Sequence, residues 1–265
     1  MRILFVGDVF GQAGRRIVSE HLRPVIEQRG VDLVVVNGEN AAGGFGLTPG
    51  IADELFDQGA HVITTGNHVW DKREIIEYMQ SAPENSHDRP RRVLRPANYV
   101  AGTPGFGYYQ GELPSGQSYA VINLQGRIFM GSLEDPFRAA DSLLRKIEAK
   151  VILVDFHAEA TSEKAALGWY LDGRVTAVIG THTHVPTADE RILPGGTAYQ
   201  TDVGMSGPFD SVIGVEKELS LARFLSGMPG KFEAAKGDPR MCAALVECDG
   251  ATGRAVSIKR LMMGE

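Results

Sequence analysis

One device recurs along this chain and constrains its fold more than any other feature: a short apolar run that stops at glycine and then at a polar side chain. Arg2–Val6 stops at Gly7-Asp8, and residues 31–36 stop at Asn37-Gly38-Glu39-Asn40. Residues 61–64 stop at Gly66-Asn67-His68, residues 151–155 at Phe156-His157, and residues 175–179 at Gly180-Thr181-His182-Thr183-His184. Runs this short, without polar alternation, read as buried strands. If they lie parallel, every polar group falls just past a strand's C-terminal end, the edge at which open α/β sheets bind ligands.

The intervening segments supply the helices such a sheet needs. Residues 12–29 place Ile17, Leu22, Val25 and Ile26 at helical spacing, and Gly30 closes the helix. Thr48-Pro49 is an N-cap and first-turn proline for a helix to residue 58. Further helices are expected over 71–79, 137–149, 163–171 and 216–225, and a further strand over 119–124. Residues 240–246 and 254–259 form a closing antiparallel pair, with Asp249-Gly250 in the turn region. The βαβαβα order predicts an α/β fold. Residues 1–265 form one domain, and the Pro-, Gly- and Asn-rich stretch 81–116 is expected to be an irregular insertion or lid.

Composition narrows the function. A net charge of −6 disfavours wide contact with a nucleic-acid backbone, which needs a basic face. A small anionic substrate remains compatible, because bound cations reverse the local field. No stretch approaches the roughly 20 apolar residues of a membrane span, and the opening run is too short for a signal peptide. Cys242 and Cys248 on one strand would lie about 20 Å apart, too far to bridge. Two free thiols fit a reducing cytoplasm, the expected location.

The polar set at the strand ends is Asp8, Glu39, Asn40, Asn67, His157, His182 and His184. Imidazole and carboxylate oxygen suit iron, manganese and zinc, and without clustered thiolates a structural zinc site is not indicated. His182 and His184, at i and i+2, share a side if the backbone is extended. Taken singly, each of these residues has a structural reading as a turn, a cap or a satisfied histidine. Gathered at one rim, they read as metal ligands. His21, His61 and His87, inside a helix, at a strand start and in the irregular stretch, read as structural.

Together, Gly7-Asp8, the acidic residue after the second strand, Gly66-Asn67-His68, His157 and Gly180-Thr181-His182-Thr183-His184 resemble the calcineurin-like metallophosphoesterases. Two departures narrow the resemblance. Phe10 stands where the superfamily usually has a histidine, and Glu39 followed by Asn40 where it usually has an aspartate. Gly7-Asp8-Val9-Phe10-Gly11, Asn37-Gly38-Glu39-Asn40-Ala41 and Gly66-Asn67-His68-Val69-Trp70-Asp71 look like the YmdB-like branch, in which asparagine takes over the missing histidine's role.

That resemblance implies a sandwich of β-sheets flanked by helices. It implies a phosphodiesterase of cyclic nucleotides, 2′,3′-cyclic ones in particular and 3′,5′-cyclic ones besides. It implies two transition-metal ions, iron or manganese with zinc as an alternative, and assembly into homo-oligomers. Asp8, Asn40 and His184 would hold one ion and Asn67, His157 and His182 the other, with Glu39 bridging. Hydroxide held between the ions would attack phosphorus. His68 would protonate the leaving oxygen or hold a phosphate oxygen. Lys72 and Arg73 are read equally as phosphate contacts or as a solvated helix turn. Phe45, in the Gly43–Gly46 loop, is read as a base-stacking flap residue or as a loop anchor. A phosphomonoesterase, a regulatory nucleotide-binding protein with slow turnover, and an RNA-directed factor remain open; the acidic balance disfavours the last.

Overall fold

The computed structural model describes residues 1–264, in the order β1 (Arg2–Val6), α1 (Gly11–Arg29), β2 (Leu33–Asn37), α2 (Pro49–Gln58), β3 (Val62–Thr64), α3 (Glu74–Gln80), a 3-10 turn (Arg89–Arg92), β4 (Val93–Leu94), β5 (Tyr108–Glu112) and β6 (Ser118–Gln125). There follow α4 (Pro136–Leu144), β7 (Val151–His157), α5 (Thr161–Leu171), β8 (Ala177–Thr181), β9 (Arg191–Ile192), β10 (Ala198–Gln200), β11 (Gly207–Pro208), α6 (Lys217–Ser226), β12 (Pro239–Cys248) and β13 (Ala255–Gly264).

The strands form two sheets. The first runs β11-β12-β1-β2-β3-β4 with β13 on β12; β1 to β4 are parallel and β12 enters antiparallel. The second runs β5-β6-β7-β8-β10-β9, parallel from β6 through β10. The two-residue period of a strand assigns each apolar side chain to a layer. On β1, Ile3 and Phe5 face the second sheet and pack with Val121 of β6, Leu153 of β7 and Ile179 of β8. Leu4 and Val6 face outward onto Ile17 and Leu22 of α1. On β6, Ile122 and Leu124 turn outward to Leu167 and Leu171 of α5. The result is a helix–sheet–sheet–helix sandwich, an α/β fold. No helix among the described residues is long and apolar enough to cross a membrane.

Local signals explain the helix ends. Gly30 takes a left-handed φ of 57° and closes α1. Thr48 Oγ1 accepts the Ile51 N–H at 3.3 Å and caps α2. The helix expected over 71–79 begins instead at Glu74, because residues 66–71 are spent on a turn, with Val69 N–H donating to the Gly66 carbonyl and Asp71 N–H to that of His68. The helix expected to residue 149 ends at Leu144, where the Lys146 and Ile147 N–H groups both fold back onto the Leu143 carbonyl.

The stretch 81–116, expected to be irregular, carries an edge strand of each sheet: β4 pairs with β3, and β5 pairs with β6. It is the crossover from the first sheet to the second. Its proline and glycine mark the tight bends of that passage, and β4 is too short for periodicity to reveal.

At the strand ends, backbone passes against backbone. A Cβ on Gly7 would lie 1.8 Å from the Gly204 carbonyl oxygen, and one on Gly180 1.8 Å from that of Thr201. Neither oxygen has a flexible arm to swing away. Gly180→Ala is therefore expected to destabilise at or beyond the roughly 1–3 kcal/mol range of overpacked cores. A urea melt measures this; an unchanged midpoint would show that the two strand ends are not locked together.

Candidate metal centre

The face-to-face sheets open their C-terminal edges onto one cleft. β1, β2 and β3 deliver Asp8, Glu39 with Asn40, and Asn67 with His68; β7 and β8 deliver His157, and His182 with His184. All the residues singled out from the sequence as ligands, and His68, meet there.

Their distances fall into two groups. In one, His157 Nε2 lies 3.0 Å from Asn67 Oδ1 and 3.1 Å from His182 Nδ1. In the other, His184 Nε2 lies 3.0 Å from Asn40 Nδ2 and 3.6 Å from Asp8 Oδ2. Glu39 Oε1 touches both groups, 3.1 Å from His157 Nε2 and 3.1 Å from Asn40 Nδ2. Asp8, Glu39 and His157 are buried. Gly66 makes room: a Cβ there would lie 2.2 Å from Glu39 Oε2 and 2.3 Å from His157 Nε2.

This donor set fits cations. Around His157 Nε2 stand three acceptors: Asn67 Oδ1, Glu39 Oε1 and His182 Nδ1. A single N–H can point at one of them, whereas a cation attracts all of them. Asp8 Oδ1 is buried and has no hydrogen-bond partner among the described residues, a cost of about 1–3 kcal/mol that a bound cation removes.

Each histidine is oriented through its other nitrogen. Thr181 Oγ1 donates to Asp155 Oδ1 at 2.7 Å, so its one proton is committed. It therefore accepts from His157 Nδ1–H at 2.9 Å, which turns Nε2 to the cleft. Asp155 is buried and also receives Thr64 Oγ1 and Asn37 Nδ2, fixing this relay across both sheets. Glu159 holds His182 Nε2 at 3.1 Å and leaves Nδ1 facing inward. The Ile213 carbonyl accepts His184 Nδ1–H at 2.8 Å and leaves Nε2 facing inward. Such outer partners set the tautomer and aim of ligating histidines.

His182 and His184 stand in a loop at a strand end, as their i, i+2 spacing suits, but not in extended backbone. Both have positive φ, 100° and 66°, in a turn just past β8. β-sheet alternation does not aim them; an ionic clamp does. Asp202 accepts the Thr183 N–H and hydroxyl, and is itself bound at 2.6 Å to Lys164, buried inside α5. Asp8 Oδ2 accepts the His182 N–H at 2.9 Å.

His68 stands beside the cluster. Its Nδ1 lies 2.9 Å from Asp71 Oδ2 and its ring 4.9 Å from that of Phe45, so Nε2 is the nitrogen left for a ligand. Lys72 runs its stem alongside Gly46, and Arg73 is exposed at the start of α3; neither lines the cleft. His61 Nδ1 accepts the Val34 N–H and His87 Nδ1 pairs with the Tyr109 hydroxyl, both structural roles. Sequence reading missed Asp71, Asp155, Glu159, Lys164, Asp202 and Phe232. The readable signals were Asp155 interrupting an otherwise apolar strand and Glu159 two residues past His157.

Without a cation the cluster holds itself by a proton. Burial would raise the Glu39 carboxyl, but the charge and hydrogen bond of His157 override it and hold it at about 2. Burial would lower His157, but Glu39 overrides it and lifts the imidazole from 6.5 to about 9. Burial pushes Asp8 well above the usual carboxylate range. Burial lowers His182 to about 3, the charge of His157 adding to it.

Stability from the raised His157 is fully present below pH 6.5 and lost as pH rises toward about 9, and the raised Asp8 acts in the same sense. Chelator-treated protein is therefore expected to melt at lower temperature as pH rises across that window. Added Mn²⁺ should flatten or reverse the trend, because the cation replaces the proton, and His157→Gln should weaken it. A pH-independent melting temperature in chelator would contradict this electrostatic picture.

Comparison with known proteins agrees in extent along the chain. The family model described as YmdB-like protein matches residues 4–261. The 2′,3′-cyclic-nucleotide 2′-phosphodiesterase of Bacillus subtilis (strain 168) is 46% identical over 267 residues, covering 100% of this chain and 98% of that protein. A hypothetical protein from Thermus thermophilus superposes with a TM-score of 0.92 at 47% identity, covering 100% of both chains. A novel phosphatase from Mycoplasma pneumoniae superposes with a TM-score of 0.92 at 34% identity, covering 100% of this chain and 93% of that one. Matched from near its first residue to near its last, the chain belongs to the YmdB-like protein family.

Proposed function

We propose that the chain is a metal-dependent phosphodiesterase that opens cyclic nucleotides, with the 2′,3′-cyclic nucleotides as its principal substrate class and 3′,5′-cyclic nucleotides as a second. The observation that carries this reading is the partition of the polar cluster. Asp8, Asn40 and His184 form one group, Asn67, His157 and His182 the other, and Glu39 Oε1 stands at hydrogen-bond distance from both. The name of the Bacillus subtilis relative supports the substrate class.

Each group would hold one transition-metal ion, iron or manganese with zinc as an alternative. Bound there, the pair supplies Lewis-acid activation of water and neutralises charge growing on the phosphoryl oxygens. The chain does the rest. With ions bound, the Glu39 carboxylate, within reach of both groups, would offset the ions' mutual repulsion. The Asn40 amide now donates to Glu39 and His184; turned over, it presents Oδ1 instead. The outer partners of the histidines keep a lone pair of each ring inward. His68, held by Asp71, carries a proton on Nε2 toward the leaving oxygen. As water adds to phosphorus and the P–O2′ bond breaks, the His68 proton passes to O2′ and leaves a 3′-phosphate; the attacking water gives up one proton to solvent and His68 takes one back from it, so the acid is restored.

Protein purified without chelator is expected to carry about two transition-metal ions per chain. Glu39→Ala should lose metal and nearly all turnover, while Glu39→Asp, which keeps the charge, should be milder. An alanine variant with full metal and normal rate refutes the role of Glu39.

His68→Ala should keep its metal and lose roughly 10²–10⁴-fold in turnover, the usual worth of a positioned acid. The loss should shrink on a nitrophenyl ester, whose leaving group needs little protonation. Equal losses on both substrates, with metal retained, would mean that His68 positions phosphate and gives no proton.

A further inference from the structure

The cleft has a second wall that the chemistry above does not use. Opposite Glu39 and the histidines it is lined by Phe10, Phe45, Ile213, Val215 and Phe232, around a volume of about 260 Å³. Phe45, Ile213, Val215 and Phe232 also line an apolar trough of about 410 Å³ that runs on toward Leu219 and Phe224 of α6. The two spaces share Phe45, Ile213, Val215 and Phe232 as a common wall, so these side chains border both the metal-facing side and the trough.

The rings are held in place. Phe45 and Phe232 lie 4.1 Å apart between centroids, tilted by 47°, and Phe45 is 4.9 Å from the His68 ring. Phe10 packs edge-on to His184 at 5.4 Å and lies 6.1 Å from Phe232. Gly44 backs the pair: a Cβ there would lie 2.8 Å from Phe232 and 3.1 Å from Phe10. Phe232 reaches this point because Glu216 N–H donates to the Glu233 carbonyl and Ala235 N–H to that of Gly214. Both Phe45 and Phe232 remain only half-buried. Apolar rings left partly exposed one ring contact from a charged site are placed to take up a flat partner.

We propose that Phe45 and Phe232 form a nucleobase-stacking subsite that selects substrates carrying a base. This rests on the phosphodiesterase reading above. Stacking uses the face that every base has, so it selects for ring area and not for a base edge. The polar side chains around the trough are few: Ser220, Arg223 and Lys231. The subsite should accept all bases, purines somewhat better than pyrimidines.

The test compares kcat/KM on adenosine 2′,3′-cyclic phosphate and on ribose 2′,3′-cyclic phosphate, which lacks the base. The metal-loaded wild-type protein is expected to favour the nucleotide by roughly 5- to 150-fold, the worth of one base–aromatic stack. Phe232→Leu keeps apolar bulk without an aromatic face, and Phe232→Ala removes both. Each should collapse the ratio toward unity, chiefly through KM, while Phe232→Trp restores it; melting curves identify any variant that fails to fold. Equal use of the two substrates by wild-type protein, or a ratio unchanged in Phe232→Leu, overturns the subsite and leaves the phosphodiesterase reading standing. Hydrolysis of neither substrate by metal-loaded wild-type protein overturns that reading and the subsite with it.

Discussion

The rest of the structure turns on one electrostatic constraint: buried carboxylates, imidazoles and amides of different strands crowd within about 3 Å of one another with too few protons to share. Parallel strands create the crowding, because each sheet sends its C-terminal ends to one edge and the two sheets pack face to face. Left alone, such a cluster costs free energy through desolvated charge and unpartnered polar atoms. Glu39 and His157 offset part of that cost by sharing a proton, but Asp8 Oδ1 stays unpartnered. A cation is the partner this donor set lacks.

Much of the surrounding fold holds that cluster in place. Asp155 collects hydroxyls from Thr64 and Thr181 and the amide of Asn37, tying β2, β3, β7 and β8 together directly beneath His157. Lys164 and Asp202 form a buried ion pair whose carboxylate grips Thr183, between the two histidines of the left-handed turn. A buried pair is an expensive way to stabilise a fold. Here it holds His182 and His184 in a conformation that non-glycine residues rarely adopt. The stability put into these features serves the geometry of the cleft.

How much of this was readable in the sequence follows from the range of each signal. The strands of the sandwich and the polar residues at their ends are local patterns, and the α/β fold and the cleft's composition follow from them. The aim of His182 and His184 was not readable, because it is set by a left-handed turn whose clamp, Asp202 and Lys164, stands outside the motif. Residues 81–116 looked irregular because β4 is two residues long and is made a strand by β3, about 30 positions earlier, while β5, a local hairpin partner of β6, stands among glycines and prolines that mask it. Phe232 faces Phe45 across 187 positions of sequence, and a lone aromatic in a glycine-rich segment carries no trace of that. Asp155 was visible as a charge in an apolar strand, but its task depends on Thr64, Thr181 and Asn37 converging on it.

The central claim, that the cluster is a two-ion centre organised about Glu39, is tested most directly by anomalous X-ray diffraction at a metal edge on crystals of metal-loaded protein. Two peaks roughly 3.5–4 Å apart are expected, the spacing of paired catalytic ions. One should lie by Asp8, Asn40 and His184, the other by Asn67, His157 and His182, with the Glu39 carboxylate between them. A single peak, or peaks away from this carboxylate, would contradict the account.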